Sequence, residues 1–180
     1  LSTAMQENMF LRLVLKSLKN SGSVRPSMQR SQPMQLIRQP TQWSCFLTCL
    51  AMHLNVSVET LYKYVGHDGS EIYNPEIAEP WCRRAFHERE LIDVAYEFRH
   101  WMIRIDRDID HINLRNYNDA RLFALILQHP TIICGAFPTQ HAVACDTDSV
   151  FDPKGYVTPR TMFLEKWQQR ISSIYVIKSF

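Results

Sequence analysis

The apolar residues follow a helical period as far as residue 128 and form short, strand-like runs beyond it. Helical spacing over 45–54 predicts a buried helix, for which Ser44 is suited to be the N-cap. A short second helix is expected between Ser57 and Gly66, because serine favours a helix start and glycine a helix end. Two further amphipathic helices are predicted at 83–101 and 119–128.

Strands are predicted in the last third of the chain. Short apolar runs that are separated by turn-forming residues are typical of an antiparallel sheet. The runs are Thr131–Phe137, His141–Cys145, Val150–Asp152 and Ile174–Ile177. Because the helices precede these strands, we expect an α+β fold in which N-terminal helices pack on a C-terminal antiparallel sheet.

Residues 1–34 differ from the rest of the chain and predict a basic N-terminal arm. Its Met9–Leu18 segment has the pattern of an amphipathic helix, and a linker rich in Ser, Gly, Pro and Gln follows. Such a basic helix could associate with an anionic membrane surface, although termini more often dock on the domain or stay mobile. We therefore expect two parts, the arm at 1–34 and one folded domain at 35–180.

Composition and charge limit the classes of partner. The chain is 46% hydrophobic and 21% charged, as in ordinary globular proteins, and its net charge is only +2. A charge this small argues against nucleic acid as a partner. The apolar runs are also far shorter than the roughly 20 residues that cross a bilayer, so we expect a soluble protein without stable membrane insertion. The oligomeric state stays open.

The five cysteines indicate a reducing compartment. They are Cys45, Cys49, Cys82, Cys134 and Cys145. Their number is odd, and they lack the density and spacing of a disulfide scaffold or a zinc site. We expect no metal and no cofactor, and a location in the cytoplasm, either of the producing cell or of a host into which the protein is delivered.

Cys45 has the best position for a reactive thiol. A cysteine is a strong nucleophile only as the thiolate, which the partial positive charge at a helix N-terminus stabilises. Cys45 begins the predicted helix, whereas Cys49 lies one turn later and is the second choice. The ordinary interpretation of a single cysteine is a small buried hydrophobe, which we prefer for the other four.

His141 and Asp152 are the candidates for a base and for the group that orients it. If Asp146 and Thr147 form a two-residue hairpin loop, His141 lies directly opposite Asp152, close enough for a carboxylate to hold an imidazole N–H. Asp148 is a weaker candidate for the orienting role. The simpler interpretation makes Asp152 a turn former and His141 the end of a strand.

Acyl transfer also requires donors for the developing oxyanion, commonly a backbone N–H and a side-chain amide. Gln39 and Gln42 both precede Cys45 and could supply the amide. Glutamines in such a segment are ordinarily solvated, so composition does not choose between them.

The stretch 39–52 resembles the active-site segment of the papain-like bacteriocin-processing, or double-glycine, peptidases. In that family a glutamine precedes the catalytic cysteine by six residues, a spacing that favours Gln39 over Gln42. The chain departs from many relatives in having Ser44-Cys45-Phe46 where they have Asp-Cys-Gly. Further similarities lie at 128–133, 141–144, 152–155 and 163–167, so the resemblance extends over about 35–178, with 69–118 unmatched.

The resemblance implies a papain-like cysteine peptidase in which Cys45, His141 and Asp152 form the triad and Gln39 completes the oxyanion hole. No transporter domain follows in the sequence, so we expect a stand-alone domain that acts on a protein or peptide, such as a bacterial or phage effector. Two alternatives stay open. One is a glutamine deamidase or transglutaminase on the same fold, and the other is an inactive binding module, which the bulky Phe46 beside the cysteine favours.

Overall fold

The computed structural model describes residues 33–70, 86–106 and 126–180. The helices are α1 (Cys45–Leu54), α2 (Val58–Val65), α3 (Glu88–Glu97) and α4 (Arg160–Trp167). The strands are β1 (His100–Asp106), β2 (Thr131–Ala136), β3 (Gln140–Cys145), β4 (Ser149–Asp152), β5 (Tyr156–Pro159) and β6 (Ile171–Ser179). The arm predicted at 1–34 and the helix predicted at 119–128 lie almost entirely outside the described residues.

The strands form one antiparallel sheet in the order β1-β6-β2-β3-β4-β5. Helix α1 packs against β3, α2 and α3 pack against α1, and α3 packs against β1. The N-terminal helices therefore lie on a largely C-terminal antiparallel sheet, which confirms the predicted α+β class.

Alternating side chains of the strands fill two hydrophobic clusters, one on each face of the sheet. Ala142 and Ala144 of β3 belong to the cluster that includes α1, and their small side chains let the helix approach closely. Val143 and Cys145 belong to the opposite cluster, where Phe163 of α4 also packs. Helix α1 is thereby held against β3.

The caps of α2 agree with the sequence prediction. The Ser57 side chain accepts a hydrogen bond from the backbone N–H of Thr60 at 3.1 Å. Gly66 adopts a left-handed conformation, with φ of 88°, and its N–H donates to the carbonyl of Tyr62. A residue without a Cβ is favoured at that position.

The helix predicted at 83–101 was too long. Its described part, α3, starts after His87, whose side chain and that of Glu90 form a capping box, and ends at Glu97 with Phe98 as its C-cap. Arg99 has a positive φ of 59°, which turns the chain, and Trp101 lies in β1 instead. Pairing of β1 with β6 overrides the helical spacing in this region.

Candidate active site

Cys45 is the first residue of α1, as predicted, but Ser44 does not cap the helix with its side chain. The Ser44 hydroxyl instead donates to the carbonyl of Thr41 at 3.0 Å and accepts from the N–H of Thr41 at 3.2 Å. This turn holds the hydroxyl away from the helix start. The first N–H groups of α1 are therefore free of a side-chain cap, so that they can stabilise an anion at Cys45.

His141 and Asp152 are joined by a hydrogen bond of 2.7 Å between Nε2 and Oδ1. The predicted register was wrong by two residues, because the loop consists of Thr147 and Asp148 instead of Asp146 and Thr147. Ala144 faces Phe151, and the N–H of Asp146 donates to the carbonyl of Ser149. His141 and Asp152 still share a face of the sheet, as diagonal neighbours.

The side chain of Cys45 also interacts with the imidazole of His141 and favours its charged form. Since Nε2 binds Asp152, Nδ1 is the ring nitrogen left for the thiol. Burial by itself would lower the pKa of His141, but the contacts with Asp152 and Cys45 outweigh it and raise the pKa to about 9. His141 is therefore mainly protonated at neutral pH.

The carboxylate of Asp152 is fixed by the turn that follows it. Besides His141, its Oδ1 accepts the backbone N–H of Lys154 at 2.8 Å, and its carbonyl accepts the N–H of Gly155. Burial opposes ionisation, but the bonds from His141 and Lys154 dominate and lower the pKa of Asp152. Asp148 is exposed in the hairpin loop and accepts from Thr147, so it does not replace Asp152.

Gln39 lies beside the same turn, because its backbone N–H donates to the carbonyl of Pro153 at 2.8 Å. Its side-chain amide donates to the carbonyl of Thr41 at 2.8 Å. This contact uses one of the two amide hydrogens and holds the amide against the turn that precedes Cys45. Gln42 is exposed. The structure therefore anchors Gln39 near the site and leaves Gln42 at the surface.

The other described cysteines are poor nucleophiles. Burial raises the pKa of Cys49 well above its ordinary value, and it raises those of Cys134 and Cys145 to about 12 and about 11. Cys45 is only partly buried. Cys82 lies outside the described residues.

Phe46 turns toward the core instead of occupying open space beside Cys45. Its ring centroid lies 5.0 Å from that of Tyr175, within the cluster that includes α1. His53 is likewise structural, since its Nε2 donates to the carbonyl of Thr131 at 2.8 Å. Burial lowers the pKa of His53 to about 4, although this hydrogen bond opposes the shift.

The sequence analysis did not identify the residues whose backbone hydrogen bonds hold the site together. Thr41 accepts bonds from both Gln39 and Ser44 through its carbonyl, and Lys154 orients Asp152 through its backbone. Backbone groups leave no signature in residue type. The Asp-Pro-Lys-Gly pattern at 152–155 was the available signal, because aspartate readily accepts the N–H two residues later in such turns.

No protein-family model matches the sequence, and no curated protein is significantly similar to it. Among solved structures, the chain is similar to the peptidase domain of Streptococcus ComA, a bi-functional ABC transporter involved in a quorum-sensing pathway. The two are 15% identical with a TM-score of 0.49, over 82% of this chain and 99% of that one. Within the described ranges, no helix is long and apolar enough to cross a membrane.

Proposed function

We propose that the chain is a papain-like cysteine peptidase with Cys45 as nucleophile, His141 as base and Asp152 as the residue that orients the histidine. The observation that carries the proposal is the continuous series of contacts from Cys45 through His141 to Asp152, at the start of a helix. A structural cysteine has no need of an oriented imidazole, whereas a thiol nucleophile requires one.

In the proposed reaction, the proton of Cys45 already resides on Nδ1 of the protonated His141, and the thiolate attacks the carbonyl carbon of a peptide bond. The oxyanion accepts hydrogen bonds from the N–H of Cys45 and from the second amide hydrogen of Gln39. His141 then gives its proton to the leaving amine as the C–N bond breaks. Water, activated by His141, hydrolyses the thioester and releases the acid.

Asp152 contributes by stabilising the imidazolium that this sequence requires. With a pKa of about 9, His141 keeps the proton at neutral pH until the leaving amine accepts it. The Asp152 bond also fixes Nε2 as a donor, so that Nδ1 faces the thiol. Because Phe46 packs on Tyr175, its bulk gives no support to an inactive binding module.

The proposal is tested by labelling with an electrophilic peptide probe across pH, read by intact mass and site mapping. We expect one adduct on Cys45, none in Cys45→Ala, and a rate at least roughly tenfold lower in His141→Ala. Cys49→Ala is the matched control and should react like wild type. Slow labelling that is spread over several cysteines and insensitive to His141 would refute the peptidase. With glutamine-containing proteins as substrates, release of ammonia without new peptide termini would indicate deamidation instead.

A further inference from the structure

We propose that Arg38 and Lys154 form a basic subsite for the leaving group and select a carboxylate directly after the scissile bond. This inference rests on the proposed peptidase function and names its substrate class. The carboxylate is either an acidic side chain or the terminal carboxylate of the substrate.

The first step is the position of Arg38. Its neighbour Gln39 donates its backbone N–H to Pro153, which fixes this segment alongside the turn at 153–155. Gly155 has φ of 110°, and a Cβ built on it would lie 2.7 Å from Nε of Arg38 and 3.1 Å from its Cζ. The guanidinium therefore lies directly against Gly155.

The second step is the position of Lys154, which the same turn carries. Its backbone N–H is bound to Oδ1 of Asp152, the oxygen that also holds His141. Its side chain is exposed, as is that of Arg38. Within the described residues, neither side chain has a carboxylate in salt-bridge range. Two exposed cations that form no salt bridge with a described carboxylate therefore lie at one short turn.

The third step assigns this turn to one side of the substrate. The leaving amine takes its proton from His141, so the residue that departs must lie on the histidine side of the thiol. Asp152 is bonded to His141, and the turn at 153–155 directly follows Asp152, so this turn adjoins the histidine. The first residue after the scissile bond therefore approaches Arg38 and Lys154, and a carboxylate there is favoured by both charges.

The size of the preference follows from the exposure of both cations. A solvent-exposed charge pair changes an equilibrium by up to roughly fivefold, and two acting together give about five- to tenfold. Salt also screens exposed charge pairs, so the ratio by which a carboxylate is favoured over an uncharged group should fall toward one at about 1 M salt.

The test measures how an acyl-enzyme divides between water and added amines, since an amine enters through the subsite by which the leaving amine departs. Wild type is acylated with the p-nitrophenyl ester of N-acetylglycine, and the uncatalysed reaction is subtracted with Cys45→Ala. The amines are compared in pairs at equal free-amine concentration: aspartate amide with asparagine amide, and glycine with glycine amide. Mass spectrometry quantifies each amide product against the acid.

We expect the charged member of at least one pair to be favoured about five- to tenfold. A preference within the aspartate pair assigns the acidic side chain, and one within the glycine pair assigns the terminal carboxylate. The ratio of the product formed with the charged amine to that formed with its uncharged counterpart should fall to near one in the double variant Arg38→Gln/Lys154→Gln. It should stay unchanged in the double variant Lys63→Gln/Arg89→Gln, which removes two exposed cations elsewhere.

Three results would overturn the inference. If an acyl-enzyme forms but shows no preference, the subsite is wrong while the peptidase proposal stands. If the preference persists in Arg38→Gln/Lys154→Gln, its origin lies elsewhere. If no acyl group is found on Cys45, the peptidase proposal fails and the subsite falls with it.

Discussion

The Nε2 atom of His141 donates a hydrogen bond of 2.7 Å to Oδ1 of Asp152. The two side chains are diagonal neighbours on one face of the β3–β4 hairpin, and His141 is almost fully buried. The carboxylate is itself held by the N–H of Lys154, so neither partner can rotate freely. The ring is therefore fixed in the orientation that directs Nδ1 toward Cys45.

Asp152→Asn should reduce the rate of probe labelling or peptide hydrolysis by about 10²-fold or more, since it removes the charge that stabilises the imidazolium. The measurement is the rate between pH 5 and 9. Asp148→Asn, in the exposed loop of the same hairpin, is the control and should keep the wild-type rate. Equal rates in the two variants would contradict the orienting role of Asp152.

The pH dependence of the free energy of unfolding should reveal the interaction between His141 and Asp152. The pKa of His141 is raised from 6.5 to about 9 on folding, so folding favours the protonated ring. The resulting stabilisation is fully present below about pH 6.5 and is lost as pH rises through 9. Asp152 has a lowered pKa, so its contribution is present above its ordinary value of 3.8 and is lost as pH falls through the lowered pKa.

The corresponding measurement compares urea unfolding of wild type and His141→Gln at several pH values. The advantage of wild type in free energy of unfolding should be largest near pH 6 and should shrink by pH 9.5. An advantage that stays constant over this range would show that the histidine contributes by packing alone.

The sequence alone predicted that His141 and Asp152 lie on the same face of the hairpin, because side chains of a strand alternate between faces with a period of two residues. Moving the loop from Asp146–Thr147 to Thr147–Asp148 changes each partner by two positions, which keeps every side chain on its face. The predicted shared face was therefore correct, although the predicted register was not. Only the direct opposition of the two residues was lost.

Strands β1 and β5 were not predicted from the sequence, for two physical reasons. In β1, Phe98 and Trp101 continue the helical spacing of α3, and the pairing that makes Trp101 extended involves Lys178, far along the chain. Strand β5 lies at the edge of the sheet, where Tyr156 and Val157 are exposed. With no buried face, it has no alternating apolar pattern to recognise.

Gln39→Ala should lower the rate of peptide hydrolysis by about 10²-fold, because an oxyanion donor stabilises the transition state specifically. Gln42→Ala, at an exposed position three residues on, should have no effect. The readout is kcat for a cleaved peptide, with probe labelling of Cys45 in parallel to show that the thiol is intact. A loss of kcat in both variants, or in neither, would contradict the assignment of Gln39 to the oxyanion hole.

Gly135→Ala should destabilise the protein, because Gly135 faces His141 across the β2–β3 pair and has no room for a side chain. A Cβ at this position would collide with the backbone carbonyl of Arg170 and lie 2.6 Å from Cζ of Phe137. A carbonyl in the chain cannot move aside as a flexible side chain can, so a cost of about 1–3 kcal/mol is expected.

Gly66→Ala is the matched control for that substitution. Its Cβ would meet nothing within 4 Å, and only the left-handed φ of 88° opposes it, at about 1 kcal/mol. Urea unfolding should therefore rank the two variants with Gly135→Ala the less stable. Because strain at Gly135 bears on the strand that carries His141, that variant should also label more slowly at Cys45 under conditions in which both proteins are folded. If Gly66→Ala is slowed equally, the effect does not come from the position of the histidine.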